Sequence, residues 1–177
     1  GKTIKTVVIG LLDDVSLESA QKLVRTIYAR VADSIGLNDN RKTAQQIDSI
    51  LRLRPHLILV AGGTDNGATQ SVRQLIETVG LACHILPPES RPAVLFAGNK
   101  NLANEVKNIL QSRPSSLSIS PNLRPSLEVE DLQPAQFALA QLYAQIRRGQ
   151  MGGVDELNAW SGNTLMPTAY AEGRIIR

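Results

Sequence analysis

The sequence predicts an α/β fold built on a doubly wound, mainly parallel sheet of five strands, and three observations predict it. An unbroken apolar run, Leu57-Ile58-Leu59-Val60-Ala61, has no polar face, as expected of a strand covered on both sides. Gly62-Gly63 and the polar cluster Thr64-Asp65-Asn66-Gly67 end that run and permit a sharp exit. A helical spacing follows at once, with Val72, Leu75, Ile76 and Val79 at i, i+3, i+4 and i+7. The polar cluster therefore belongs at the carboxyl end of a central strand, the edge where open α/β sheets bind ligands.

The same alternation can be read along the chain. Residues 4–12, IKTVVIGLL, form a β-branched run ending at Asp13-Asp14. Ser16 can cap a helix carrying Leu17, Ala20, Val24, Ile27 and Val31 on one face. A short strand over 31–35 leads to a loop with Asn38 and Asp39. A helix over 41–53 then turns Ala44, Ile47 and Leu51 inward and stops before Pro55. The helix after the central strand ends near Gly80. Beyond the proline-rich loop 86–92, residues 93–98 form a buried strand leaving through Asn99-Lys100. Its helix places Leu102, Val106, Ile109 and Leu110 on one face. Pro114 precedes a fifth strand at 116–120, which exits through Pro121-Asn122. Residues 123–132 read as irregular, and 133–149 as a helix with Leu139, Leu142, Tyr143 and Ile146 inward. This spacing suits a flavodoxin-like unit over residues 1–150. A helical extension over 151–177 carries a turn at Gly152-Gly153 and a last helix at about 167–176.

Composition narrows the function classes. At 177 residues with 42% hydrophobic content, the chain can bury a core without staples. No apolar run approaches the roughly 20 residues of a membrane span, and no secretory signal opens the chain. The sole cysteine, Cys83, has no internal disulfide partner, so a reducing cytoplasm is the expected location. A net charge of +3 and 3% aromatics argue against nucleic acid, since stacking platforms are missing. Arg147-Arg148 and Arg174/Arg177 read as helix-end charges.

Each strand exit supplies polar groups to the carboxyl edge. Asp13 and Asp14 follow the first strand, Asn38 and Asp39 the second, Thr64, Asp65 and Asn66 the third, and Asn99 and Lys100 the fourth; Asn122 and Arg124 follow the fifth. Together with Gly62 and Gly63 they are candidates for binding a small anion, a metabolite, a hard cation or a partner. The competing reading is that Asp, Asn and Thr serve here as helix caps and loop residues. Asp65 behind two glycines is the strongest site candidate, because the glycines allow a close backbone approach. No nucleotide P-loop, dinucleotide fingerprint or nucleophile elbow occurs, and no catalytic or metal-ligating set can be assembled. An independent enzyme is the weakest of the three functional classes.

Three segments carry a family resemblance: LILVAGGTDNG, AVLFAGNKNLANEV and SPNLRPSLEVEDLQPAQ, in order across residues 56–136. They resemble the glutamate-mutase-associated MutL proteins, a family distinct from the mismatch-repair protein of that name. MPTAYAEGRIIR near the end is similar too, and Asn66 stands where the family usually has glycine. The resemblance implies an ATPase of the actin/Hsp70/sugar-kinase superfamily, linked to a cobalamin-dependent mutase as partner. The superfamily's phosphate-binding pattern, Asp-x-Gly-[Ser/Gly]-[Thr/Ala]-Thr, is absent from this sequence. The resemblance therefore implies an internal accessory domain for partner recognition or nucleotide-linked movement, with ATP and magnesium expected only in the full-length parent. The alternative is an α/β domain binding a small anion or metabolite at its carboxyl edge.

Overall fold

The structure, a computed structural model, describes residues 3–11 and 13–150, the side chains of Asp13 and Asp14 excepted. The predicted extension over 151–177 lies outside the described residues. The chain divides into two compact units, Gly1–Leu142 and Tyr143–Arg177.

Five parallel strands form one sheet: β1 (Ile4–Gly10), β2 (Ala29–Gly36), β3 (Leu57–Val60), β4 (Ala93–Phe96) and β5 (Ser116–Ile119). Their order is β2-β1-β3-β4-β5, the doubly wound order expected from the spacing. Register aligns the strand starts, with Leu57 opposite Ala93 and Ala93 opposite Ser116. The central pair is buried on both faces, Leu57 to Val60 and Val94 to Phe96 each being 0% exposed. Alternation distributes their side chains. Val7, Ile9, Ile58, Val60, Val94 and Phe96 join the core shared with α2 (Thr43–Leu53), α3 (Gln70–Ile85) and α4 (Ala103–Leu110). Ile4, Thr6 and Val8 point to the other face, where α1 (Glu18–Val24) packs on β1. In α5 (Gln133–Gln150), Ala135, Leu139 and Leu142 are buried at i, i+4 and i+7. Tyr143 and Ile146, expected inward, are only half-buried.

Several boundaries differ from expectation for local reasons. α1 stops at Val24, because the Thr26 hydroxyl and N–H both donate to the Leu23 carbonyl (2.7 and 3.0 Å). Ile27 and Val31 therefore leave the helix. Val31 lies on β2, whose first residue pairs with Ile4, so β2 starts two residues earlier than predicted. Ser16 does not cap α1 either: a π-helical turn over Asp13–Leu17 runs straight into it. α3 continues past Gly80 to Ile85. Gly80 instead permits close packing, since a Cβ there would meet Arg113 Nη1 at 3.2 Å and Leu110 Cδ2 at 3.4 Å. In α2, Ala44 is exposed, while Gln46 and Ser49 are buried toward a charged cluster described below.

Leu59→Ala empties a site closed on both faces of the sheet and should cost about 2–5 kcal/mol. Urea denaturation of the two proteins checks this; a loss below that range would mean the site collapses freely.

Candidate functional site

The exits of β3, β4 and β5 converge because their strands end side by side. Gly62 and Gly63 adopt φ values of 128° and 75°, which side-chain-bearing residues avoid. What approaches these glycines is the protein's own backbone. A Cβ on Gly62 would meet Leu11 N at 3.2 Å, and one on Gly63 would meet Ala68 O at 2.9 Å. Gly98 is tighter still, its Cβ position lying 2.5 Å from Gly62 O. The third and fourth strand exits are thus in backbone contact, sealed by the Asn99 N–H donating to Gly62 O (3.1 Å).

Asp65 sits at the centre of this junction. Its Oδ1 accepts from the Lys100 N–H (3.1 Å) and from Asn122 Nδ2 (3.0 Å). Its own N–H donates to Pro125 O (3.0 Å), and its carbonyl accepts from Asn101 Nδ2 (2.5 Å). Asn122, 4% exposed, also donates to Gly63 O (2.8 Å), and its Oδ1 accepts from the Arg124 N–H (3.0 Å). Asn99 is fully buried; it donates to Ala68 O (3.2 Å) and accepts from the Asn101 N–H (2.9 Å). The expectation that Thr64, Asp65 or Asn66 caps the next helix is not met: α3 begins after Thr69 without a side-chain cap. Thr64 O closes a turn by accepting from the Gly67 N–H (3.0 Å). Asn66 and the Lys100 side chain are exposed, and Lys100 enters the junction only through its backbone. Asp13 and Asp14 contribute backbone to the π-helical turn after β1; their side chains lie outside the described residues.

Two further clusters flank the junction; sequence reading places Asp39 and Arg124 at this edge but misses their partners. Beyond Asn122, the segment to Leu132 crosses to α1 as a strap. Arg124 Nε donates to Ser19 Oγ (3.1 Å), and Ser19 Oγ donates to Glu130 Oε2 (2.5 Å). Lys22 and Arg124 both pair with Glu130, at 3.3 and 3.4 Å. The Ser19 hydroxyl foremost, with Lys22 and Arg124 and against the effect of burial, holds Glu130 below its ordinary 4.5. On the other flank, Arg41 bridges Asp33 and Asp39 (both 2.7 Å), Ser49 Oγ donates to Asp33 (2.6 Å), and Gln46 Nε2 to Asp39 (3.3 Å). Burial pulls both carboxyls upward, but these donors outweigh it and hold them below the ordinary 3.8. These partners stand up to 111 positions apart, so no local spacing could reveal them. Cys83 is buried and its thiol is pushed up to about 11, which leaves it protonated and inert. Among the described residues, no group of three His, Cys, Asp or Glu is placed to hold a metal ion. No described helix is long and apolar enough to cross a membrane.

The Asp65 junction makes a measurable distinction. Asp65→Asn keeps an acceptor oxygen for both donors and should cost no more than about 1 kcal/mol, whereas Asp65→Ala leaves an N–H of the buried Asn122 amide without its acceptor and should cost about 1–3 kcal/mol. Equal losses in urea denaturation would contradict the tie. The depressed carboxyls also predict the acid limb. Their stabilising contribution is complete above their ordinary values of 3.8 and 4.5 and is lost as pH falls through the lowered ones. Thermal melts across pH should therefore decline below about pH 5, with a shallower decline in Glu130→Gln.

A family model described as MutL protein matches residues 1–177. Protein MutL of Clostridium tetanomorphum is 24% identical over 168 residues, covering 95% of this chain and 34% of the relative. The chain thus spans about a third of the length of the curated relative it matches. Its match over every residue, including the edge loops that form the junction, shows that the chain belongs to the MutL protein family, the glutamate-mutase-associated family its motifs resemble.

Proposed function

We propose that this α/β unit is a non-catalytic accessory domain of a longer MutL protein, serving partner recognition or nucleotide-linked movement beside a cobalamin-dependent mutase. One observation carries the reading: the buried amides of the carboxyl edge and Asp65 are spent on one another and on the loop backbone. Asp65, Asn99 and Asn122 tie three strand exits together, and the paired glycines admit the chain's own backbone in place of a ligand. An edge fastened in this way is a rigid body suited to transmitting movement or presenting a surface. The one-third coverage of the curated relative supports a role inside a larger protein.

The chain by itself should hydrolyse no ATP above background, and Mg-ATP should not raise its melting temperature. A ligand at 100 times its Kd stabilises a fold by about 2.7 kcal/mol, so the thermal-shift measurement is sensitive. Saturable stabilisation by Mg-ATP would place the nucleotide inside this unit and overturn the accessory reading.

A further inference from the structure

The parallel sheet gathers all of its strand starts at one edge, and that amino edge is charged in a way the carboxyl edge is not. Helix ends and connections bring Arg25, Arg30, Arg54, Arg91, Lys107 and Arg113 to it. All but the half-buried Arg91 are exposed, and none of the six forms an ion pair among the described residues. Arg52, also there, pairs with Asp48, and Glu89 is the remaining acid of these connections. In the carboxyl half, Arg41, Arg73 and Arg124 each meet a carboxylate, leaving Lys42 and Lys100 without an ion pair among the described residues; Lys22, in the last turn of α1, pairs with Glu130. Most of the cations without an ion pair among the described residues thus lie at the amino end.

Helix dipoles account for only part of this. A cation in a last turn, such as Lys107, faces the negative end of its helix, but the effect fades within that turn. Arg30 stands within β2, Arg91 after a 3-10 turn and Arg113 beyond the end of α4. Exposed apolar groups lie among them: Leu81 (45%) and Ile85 (53%), one turn apart on the end of α3, and Tyr28 (58%) just before β2. From β2 to β5 the strand spacing makes this edge roughly 19 Å wide.

We infer that the amino edge of the sheet is a docking surface for an acidic protein partner whose carboxylates surround apolar side chains. The inference deepens the partner-recognition reading above and rests on it. Arginine dominates the edge, five of the seven cations without an ion pair once Lys5, level with Arg30, is counted; Arg91 donates to the Leu86 and His84 carbonyls, and the planar fork of the other four matches carboxylates bidentately. The interspersed Leu81 and Ile85 favour a protein surface over nucleic acid, whose phosphates offer apolar groups nothing.

The test uses the full 177-residue chain and three probes: a fluorescent peptide alternating Glu with Leu, duplex DNA, and phosphatidylserine-containing vesicles. Arg30→Gln with Arg113→Gln lowers the net charge by the same amount as Lys42→Glu at the opposite edge. The peptide should bind with an affinity that falls with salt, weaken about tenfold in the double variant and remain unchanged in Lys42→Glu. Failure of the peptide to bind, equal weakening by both variants, or tighter binding of DNA or vesicles would overturn the inference. The nucleotide measurement is independent of these readouts, so a result there leaves this edge to be judged by the peptide.

Discussion

Burial of β3 and β4 on both faces is the constraint from which the rest follows. Strands with no solvated side must be covered by helices above and below, so every connection has to cross a face and return in parallel. All strand ends then fall at one edge and all starts at the other. The two edges consequently become chemically distinct surfaces on one rigid slab. One carries a hydrogen-bonded junction around Asp65; the other carries arginines of which most meet no carboxylate among the described residues.

The junction also shows how a polar cluster at a ligand-binding edge can be structural. Charged and amide side chains beside paired glycines are the signature of a site that cradles a ligand. Here the space opened by Gly62, Gly63 and Gly98 is filled by the neighbouring exits, and the side chains satisfy backbone groups those exits leave unpaired. Buried polar atoms have to be bonded to something, and this edge bonds them internally. Residues that look like a binding motif and residues that fasten loops are thus the same residues, and only three-dimensional partnership separates the two roles.

What could be read from the sequence follows the range of the forces involved. The central strands, the five-fold alternation and the need for glycine at 62 and 63 are written in short-range patterns of hydrophobicity and turn chemistry. Helix ends were read less well where tertiary pairing overrode spacing. β2 claimed Val31 from an apparently helical stripe, and Gly80 served helix packing where a stop was expected. The partners of Asp65 were hidden, because Asn122 lies 57 positions away and a residue after glycines looks like a cap from its neighbours alone. The Asp33–Arg41–Asp39 cluster drew Gln46 and Ser49 inward against their ordinary surface preference, which displaced Ala44 outward.

The strap from β5 to α1 has a consequence for how the chain is assembled during synthesis. α1 has only seven residues and no side-chain cap, a length at which an isolated helix does not persist in water. Its buried Ser19 finds its charged partners, Arg124 and Glu130, 105 and 111 positions later in the chain. A nascent chain leaving the ribosome therefore exposes the first βα unit unfinished until residue 130 has emerged. The first βα unit, made before the rest of this domain, is among the last parts of it to be secured, and throughout that interval the apolar face of β1 lacks its finished cover.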